Sequence, residues 1–466
     1  MRSMMLFPPT NQHGPLARCI VVKFHDQQAP LIYTDQNFQG YVVQPLFNSV
    51  DPDQLVGLVQ QAQQTNPEYQ APNFLAFFAI DVEPDQDPFA IIEEINQWAE
   101  LEYAYVESPP APVPTDANPR RARQTYLNPP SSTGPTIGGI DAEAAWKVLE
   151  HAGKAITIVD IEKSWQLEHP DLLQHGSSPI TILPSLLHCD MHDPACADHG
   201  TNVLGVLVAQ NNTEGGVGIA HDAAAAVISP WQKPSNGTNQ PSWNIANAIV
   251  AASNYLTTLE LSGNLILLEL QIYQDLAGGP YTNTPNQPGR LLPVELEPAN
   301  FEAIRLASEL GIIVIEAAGN GASDLATCWD TVGTYQIEPE TARYRDSGAI
   351  LVGAVYSRDP NKATRTASSN YGQRVNCFAW GNGVFTTNAS GYSLSFGGTS
   401  AAAAIIAGAA ILAQAIGEQL RQARFSPEEL RRLLTHPDAC TYSAQPQHDR
   451  VGVMPDLGRI IGLLQV

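Results

Sequence analysis

Four polar residues at separate points of the chain are of the types that acyl-transfer chemistry uses: Asp160, His199, Asn320 and Ser400. A serine hydroxyl becomes a nucleophile when a histidine takes its proton, and a carboxylate holds that histidine in the required tautomer. Ser400 would be the nucleophile, His199 the base and Asp160 the orienting acid. An asparagine NH₂ group can donate a hydrogen bond to the oxyanion that forms during acyl transfer, which is the role expected for Asn320.

Each of these residues alone also has a simpler structural explanation. Asp160 could cap a helix, and a single histidine such as His199 is more often a structural or surface residue. Ser400 at a helix start could be an N-cap. Asn320 followed by Gly321 is an ordinary turn signal. The prediction therefore depends on where the chain places the four residues together.

Apolar strands that alternate with helices beyond Ile140 are the elements that must position these side chains. The predicted strands are 155–159, 265–268, 311–315 and 349–352. Runs of Val, Ile and Leu without alternation are typical of parallel strands that helices cover on both faces. In open parallel sheets the functional crevice lies outside the carboxyl ends of the strands. Asp160 directly follows the first strand and Asn320 follows the third, so both should reach that edge.

His199 and Ser400 are each expected near the start of a helix. His199 precedes an apolar run over 203–209, and Ser400 precedes the alanine-rich run 401–410. The second helix is apolar nearly all round, which predicts a place in the domain centre. The glycines before Ser400 permit a tight turn and the close approach of a substrate chain.

The order Asp, His, Asn, Ser and the sequences around these residues resemble the subtilisin-like serine peptidases. The matching segments are IVD (158–160), HPDL (169–172), HGTNVLG (199–205), AAGN (317–320) and GTSAA (398–402). The resemblance covers about 138–466. It implies an α/β fold with a parallel sheet between helices. It also implies a serine endopeptidase that cleaves polypeptide substrates through an acyl-enzyme, with no cofactor needed for catalysis.

Several positions depart from the family pattern. Asp160 is followed by Ile161-Glu162-Lys163 where a small hydroxyl residue and glycine are usual, and the loop to His169 is longer. Asn202 and Ala404 replace a common histidine and proline. The strand that lines the specificity pocket in the family lacks the usual Ser-Leu-Gly. The residues expected to contact substrate are Glu269, Gln271, Gly319 and Gly398.

The preference for a substrate side chain is open at Glu269. This carboxylate could favour a basic side chain before the scissile bond, or it could be a paired structural carboxylate.

The first part of the chain predicts a small α/β domain over 1–107. Strands at 19–24, 73–81 and 102–107 alternate with helices that begin near Asp51 and Asp87, a pattern of the split βαβ type. By the resemblance, it would be a ferredoxin-like pro-domain that blocks the cleft as an intramolecular inhibitor of a zymogen. Residues 108–137 are rich in proline and predict a linker before the peptidase domain 138–466. Its arginines 120, 121 and 123 could mark a processing site or simply be solvated.

Charge and composition exclude several classes of function. The net charge of -23 disfavours nucleic acid and anionic membranes as partners. The apolar patch within residues 1–9 is too short for a secretory h-region. We expect no apolar run to reach the length of a membrane span, since the longest ones are interrupted by Gly, Gln or charged residues, so a cytoplasmic protein is expected. Six cysteines in 466 residues do not form the framework of a disulfide-rich secreted domain.

Metal sites and rival functions stay as alternatives. The segment 188–196 has two histidines and two cysteines but no common zinc spacing, so zinc, a Cys189–Cys196 disulfide and free thiols are all open. Structural calcium is known in the resembling family, but no acidic loop identifies it here. An acyl-enzyme could also react with an amine, which would make the protein a peptide ligase or macrocyclase. The fold could also be a catalytically inactive binding module.

Overall fold

A computed structural model describes residues 18–29, 32, 37–47, 51–65, 71–82, 86–106, 118–173, 180–184, 194–232, 242–259, 261–275, 289–358 and 362–465. Contacts between residues divide the chain into two compact units, Met1–Val113 and Pro114–Val466. The boundary therefore lies within the segment predicted to be a linker.

The first unit contains an antiparallel sheet of four described strands. In spatial order they are Gln44–Pro45, Phe77–Val82, Arg18–Phe24 and Leu101–Val106. A hairpin of Asn37–Phe38 and Tyr41–Val42, the helices Pro52–Thr65 and Pro88–Ile95, and the 3₁₀ turn Phe74–Ala76 complete the described elements. Its core contains strand side chains such as Phe24 and Phe78, the helix side chains Ile91 and Ile95, and Trp98, which follows that helix. The predicted strands and helices are present, and the ferredoxin-like pro-domain stays a prediction.

The second unit is built on a sheet of nine strands. Their order is Cys440–Tyr442, Val453–Pro455, Cys377–Trp380, Ile350–Val355, Ile313–Ala317, Leu265–Leu268, Thr157–Ile161, Ala224–Ile228 and Thr181–Ile182. Neighbouring strands are parallel except for the antiparallel pair formed by Cys440–Tyr442 and Val453–Pro455. The predicted parallel sheet is confirmed, and the four predicted strands lie next to one another within it.

Helices surround this sheet. They are Ala142–Val148, Pro194–Val208, Ile245–Thr257, Pro298–Glu309, Gly398–Arg421, Pro427–Leu434, Pro446–Asp449 and Leu457–Leu464. Short 3₁₀ helices are Arg121–Arg123, Thr125–Leu127, Val294–Leu296, Leu325–Thr327 and Pro437–Ala439. Three small antiparallel pairs lie outside the main sheet: Trp231–Gln232 with Ser242–Trp243, Ile272–Asp275 with Gly289–Leu292, and Val384–Asn388 with Gly391–Phe396.

The helix Gly398–Arg421 is the central helix of the second unit. From Thr399 to Gly417 every residue except Ala415 is buried. By length and composition alone this helix is apolar enough to cross a membrane, so the expectation that no apolar run reaches that length is wrong here. However, 94% of its most apolar window is buried inside the fold, which is the environment of a core helix.

The predicted linker is wrong for its second half, because residues 118–137 pack into the second unit. Tyr126 is fully buried and its hydroxyl donates to the Phe385 carbonyl at 3.0 Å. Arg121, one of the arginines of the expected processing site, lies 2.5 Å from the Glu143 carboxylate. The prolines and arginines suggested a solvated segment, whereas Tyr126 and Leu127 anchor it in the core.

Candidate functional site

Ser400 lies in the first turn of the central helix and is not its cap. The N-cap is Gly397, which makes no side-chain hydrogen bond, and Ser400 is the third residue of the helix. Gly398 has a φ of 73°, a left-handed conformation that glycine adopts without the steric cost of a Cβ atom. The turn therefore places Ser400 where the backbone leaves the strand Gly391–Phe396 and enters the buried helix.

Asn320 lies beside this helix start, as the sequence predicts. Its side-chain Oδ1 accepts a hydrogen bond from the Thr399 N–H at 3.0 Å, which fixes the orientation of the amide. The backbone N–H of Asn320 donates to Gln271 Oε1 at 3.0 Å, and its Nδ2 lies 3.5 Å from the same oxygen. The NH₂ group is thus only weakly engaged and is available as a donor next to Ser400. Gln271 is exposed and would have to move aside for an oxyanion bound there.

Buried Asn370 holds the loop that carries Asn320. Its Nδ2 donates to the Ala318 carbonyl at 2.7 Å, and its Oδ1 accepts from the backbone of Ser323 at 2.8 Å. Gly319 has a φ of 90°, and a Cβ atom there would lie 2.8 Å from Asn370 Nδ2. Glycine is therefore required at this position for the loop and Asn370 to meet.

His199 lies on the helix Pro194–Val208, which begins five residues before it. Its side chain is 43% exposed. The imidazole meets the Phe396 ring edge to face, with centroids 5.7 Å apart. Its Nδ1 atom lies 2.5 Å from Glu162 Oε2. A carboxylate does hold this histidine, but it belongs to Glu162.

In the structure Asp160 makes its hydrogen bond to Trp165 and not to His199, and its role as the orienting acid stays a prediction. The strand extends to Ile161, so Asp160 lies inside it, with no exposed surface. Its Oδ2 accepts from Trp165 Nε1 at 2.7 Å, and its Oδ1 has no hydrogen-bond partner. Asp160 and Glu162 point to the same face of the strand, and Glu162 is about 6–7 Å nearer the carboxyl end. The sequence signal for this is Ile161, which continues the apolar run and makes Glu162 the first polar residue beyond the strand.

Burial and the neighbouring charges perturb both groups. Burial, followed by the charge of Glu162, raises the pKa of Asp160 to about 8. Asp160 is therefore mostly uncharged at neutral pH. Burial by itself lowers the pKa of His199, but the Glu162 carboxylate outweighs this effect, so that the pKa is raised above 6.5. Glu162 is thus the neighbour that raises the pKa of His199 most.

Glu269 is a third carboxyl group near Asp160 and Glu162. It follows the strand Leu265–Leu268 and is buried, and neither side-chain oxygen has a complete hydrogen bond. Burial, with added repulsion from Asp160 and Glu162, raises its pKa well above 4.5, although the nearby Ser400 hydroxyl acts in the opposite direction. Glu269 forms no ion pair with another described residue, so the paired structural carboxylate that was one of its two predicted roles finds no partner here. The preference for a basic substrate side chain stays a prediction.

Comparison with known proteins shows which family the chain belongs to. A family model described as the subtilase family matches residues 189–451, which is more than half of the chain. The chain belongs to the subtilase family. Asp160 and Glu162 lie outside the matched segment, so the match does not decide between them.

Similar proteins include Subtilisin NAT from Bacillus subtilis subsp. natto, which is 28% identical over 262 residues, 56% of this chain and 56% of that relative. Subtilisin from Bacillus pumilus is 28% identical over 263 residues, 56% of this chain and 78% of that relative. A solved structure of proteases from Pseudoalteromonas arctica has 20% sequence identity and a TM-score of 0.49, covering 75% of this chain and 99% of that one. The chain spans just over half of the length of Subtilisin NAT.

His199 and Ser400 of this subtilase are brought together by helix packing. The helices that carry them contact each other, and Phe396, which touches His199, lies four residues before Ser400. No hydrogen bond joins the two side chains, both of which belong to the described residues.

Within the described ranges, no group of three or more His, Cys, Asp or Glu side chains is arranged to hold a metal ion. The zinc and disulfide alternatives for 188–196 fall on Cys189 and on the Cys196 side chain, which lie outside what the structure describes. Cys328, Cys377 and Cys440 are buried free thiols.

Proposed function

We propose that this subtilase is a serine endopeptidase that hydrolyses polypeptides through an acyl-enzyme. His199 Nε2 takes the proton of Ser400 as Oγ attacks the peptide carbonyl carbon. The same histidine then gives this proton to the leaving amine, and water resolves the acyl-enzyme by the reverse sequence of proton transfers. Substrate would lie along Gln271, Gly319 and Gly398, which border the donor amide of Asn320.

The observation that carries this proposal is the hydrogen bond from the Thr399 N–H to Asn320 Oδ1. It ties the asparagine to the residue before Ser400 and leaves the NH₂ group as a fixed donor beside the nucleophile. Donors that are already oriented stabilise a developing oxyanion without reorganising. Together with the Ser400 backbone N–H, Asn320 would bind the tetrahedral intermediate.

We further propose that the unit Met1–Val113 acts as a pro-domain that inhibits the second unit before activation. Two points support this proposal. The chain resembles a family whose members often carry an N-terminal pro-domain, and its first unit contains a small sheet with helices. The net charge of -23 argues against nucleic acid as a competing partner.

Incubation of the purified full-length chain with a peptide library, followed by mass spectrometry, tests the activity. Hydrolysis adds one water to the sum of the product masses, whereas a ligase or macrocyclase joins an amine instead and adds none. The Ser400→Ala variant is the control and should form no product. Cleavage that continues in this variant, or joined products from the natural chain, would overturn the proposal. An intact library after incubation with both chains would favour the inactive binding module.

A further inference from the structure

Glu269 is a buried carboxyl group at the end of the strand Leu265–Leu268. Its backbone N–H donates to the Ile161 carbonyl at 3.4 Å, next to the pairing of Leu268 with Ile161. Neighbouring strands of a sheet lie about 4.8 Å apart, so the register places Glu269 beside Glu162. The residue is only 5% exposed. A carboxyl group in this position has almost no water to stabilise a negative charge.

Other acidic side chains share the face of the sheet on which Glu269 lies. Side chains alternate between the two faces along a strand, so Asp160, Glu162 and Glu269 share one face, while Glu316 of the next strand lies on the other. The charges of Asp160 and Glu162 both disfavour the ionised form of Glu269. His199, which could supply a positive charge, is already held at Nδ1 by Glu162. The surroundings of Glu269 therefore favour its protonated form.

Ser400 is the hydroxyl group that Glu269 can reach. The helix Gly398–Arg421 carries this hydroxyl to the same place, where it favours the ionised form of Glu269 as a hydrogen-bond donor. Neither carboxyl oxygen has a complete hydrogen bond, and among these described residues none joins Ser400 to His199. The Ser400 hydroxyl thus has two alternative acceptors, the imidazole and the Glu269 carboxyl group.

We propose that Glu269 is a positioning residue that controls which acceptor the Ser400 hydroxyl faces. This inference rests on the proposed function, since it concerns the same nucleophile. While Glu269 keeps its proton it is a weak acceptor, and the Ser400 O–H donates to His199 Nε2. When Glu269 releases its proton to solvent, the carboxylate accepts the Ser400 O–H instead, because charged acceptors form stronger hydrogen bonds. No covalent bond of Ser400 changes, but its proton points away from the base and attack on the substrate stops.

The consequence is a loss of activity at alkaline pH. His199 must be neutral to act as the base, which sets an acid limb, and Glu269 must be protonated, which sets an alkaline limb. Asp160, with a pKa of about 8, ionises at alkaline pH, and its charge raises the pKa of Glu269 further. Glu162 raises the pKa of His199 and Lys163 lowers it, so these two groups affect the acid limb. Activity should therefore pass through a maximum as pH rises.

The test measures kcat for peptide hydrolysis across pH in the natural chain, Glu269→Gln and Glu269→Leu, each after any processing is complete. Both variants lack an ionisable group at position 269 and keep roughly its volume. In the natural chain kcat should fall about tenfold per pH unit beyond the alkaline midpoint. Both variants should lack this limb and keep the acid limb. An alkaline limb that is unchanged in the variants, or a natural chain that has none, would overturn the proposal.

Glu297→Gln is the matched control. Glu297 is also a carboxyl group whose pKa burial raises, and it accepts from Asn300 at the start of the helix Pro298–Glu309. This variant should keep the alkaline limb of the natural chain. Loss of the limb here as well would mean that a general effect on the fold causes it, which contradicts the assignment to Glu269.

Carbon-13 NMR of chains labelled at their glutamate carboxyl groups separates this inference from the proposed function. The resonance absent from Glu269→Gln or Glu269→Leu belongs to Glu269. It should titrate at higher pH in Ser400→Ala than in the natural chain, because that variant lacks the hydroxyl that favours the ionised form. If no chain hydrolyses peptide while this shift is observed, the proposed function fails and the contact between Glu269 and Ser400 stands. Titration of Glu269 at the same pH in both chains would overturn the inference, whatever the activity.

Discussion

Asp160 is a buried carboxyl group whose protonation couples the stability of the fold to pH. Its pKa is about 8 in the folded chain against 3.8 ordinarily. Between these values the unfolded chain releases this proton while the folded chain keeps it, so the contribution of Asp160 to stability is lost as pH rises. Asp160→Asn removes the titrating group and keeps its shape. As pH rises from about 4 to 8, the natural chain should lose stability relative to the variant. The difference between their free energies of unfolding should grow by about 1.4 kcal/mol per pH unit.

Urea unfolding of both chains at a series of pH values measures this difference. Curves of unfolding free energy against pH that run parallel for the two chains would show that Asp160 is already ionised in the fold.

Residue types predicted most of the site but did not predict the contact between Glu162 and His199. Ser400, His199 and Asn320 were recognisable because each stands next to a distinctive local segment. Asp160 and Glu162 are two residues apart on the same face, and their different contacts depend on where the strand ends. That end is fixed by pairing with the strands Leu265–Leu268 and Ala224–Ile228, which reach Ile161. Only the tertiary structure shows this pairing directly.

At the scale of elements, Gly200 controls how closely the helix Pro194–Val208 approaches the segment after Glu162. A Cβ atom there would lie 2.5 Å from the Ser164 carbonyl oxygen and 2.6 Å from Trp165 Cδ1. Gly200→Ala should push the two elements apart and displace His199 from Glu162. We expect kcat to fall by about 10–10²-fold, with a stability loss of about 1–3 kcal/mol.

Gly462 offers the matched control for this substitution. It lies in the helix Leu457–Leu464 of the same unit, and a Cβ atom there would meet no other atom within 4 Å. Gly462→Ala should leave kcat unchanged. Equal rates for the natural chain and Gly200→Ala, measured with the same peptide, would mean that this close approach does not position the base.

The pattern of apolar residues predicted the central strands and the buried helix, because in each segment consecutive residues favour the same element. It failed for residues 118–137, where prolines and arginines hide an anchored segment. The buried hydroxyl of Tyr126 and the ion pair of Arg121 are contacts with distant parts of the chain, Phe385 and Glu143. Such long-range contacts cannot be seen in local composition.

At the scale of the whole molecule, the anchoring of residues 118–137 limits where activation can occur. If Met1–Val113 is a pro-domain, the chain should be cut before Asn118, because cleavage after Arg121 would detach the hydrogen bonds that Asn118 and Arg121 make to Asn211 and Glu143 of the second unit. Mass spectrometry of the incubated full-length chain should find new N-termini ahead of Asn118, and none in Ser400→Ala if the cut is self-inflicted. A new N-terminus after Arg121 or Arg123 would contradict this prediction.

The central claim for the molecule is that Ser400 is a reactive nucleophile activated by His199. A fluorophosphonate probe reports this directly, because it forms a covalent bond only with an activated serine hydroxyl. The natural chain, after any processing is complete, should be labelled on Ser400, and Ser400→Ala should not be labelled. Labelling that persists in Ser400→Ala, or a processed natural chain that stays unlabelled, would contradict the account.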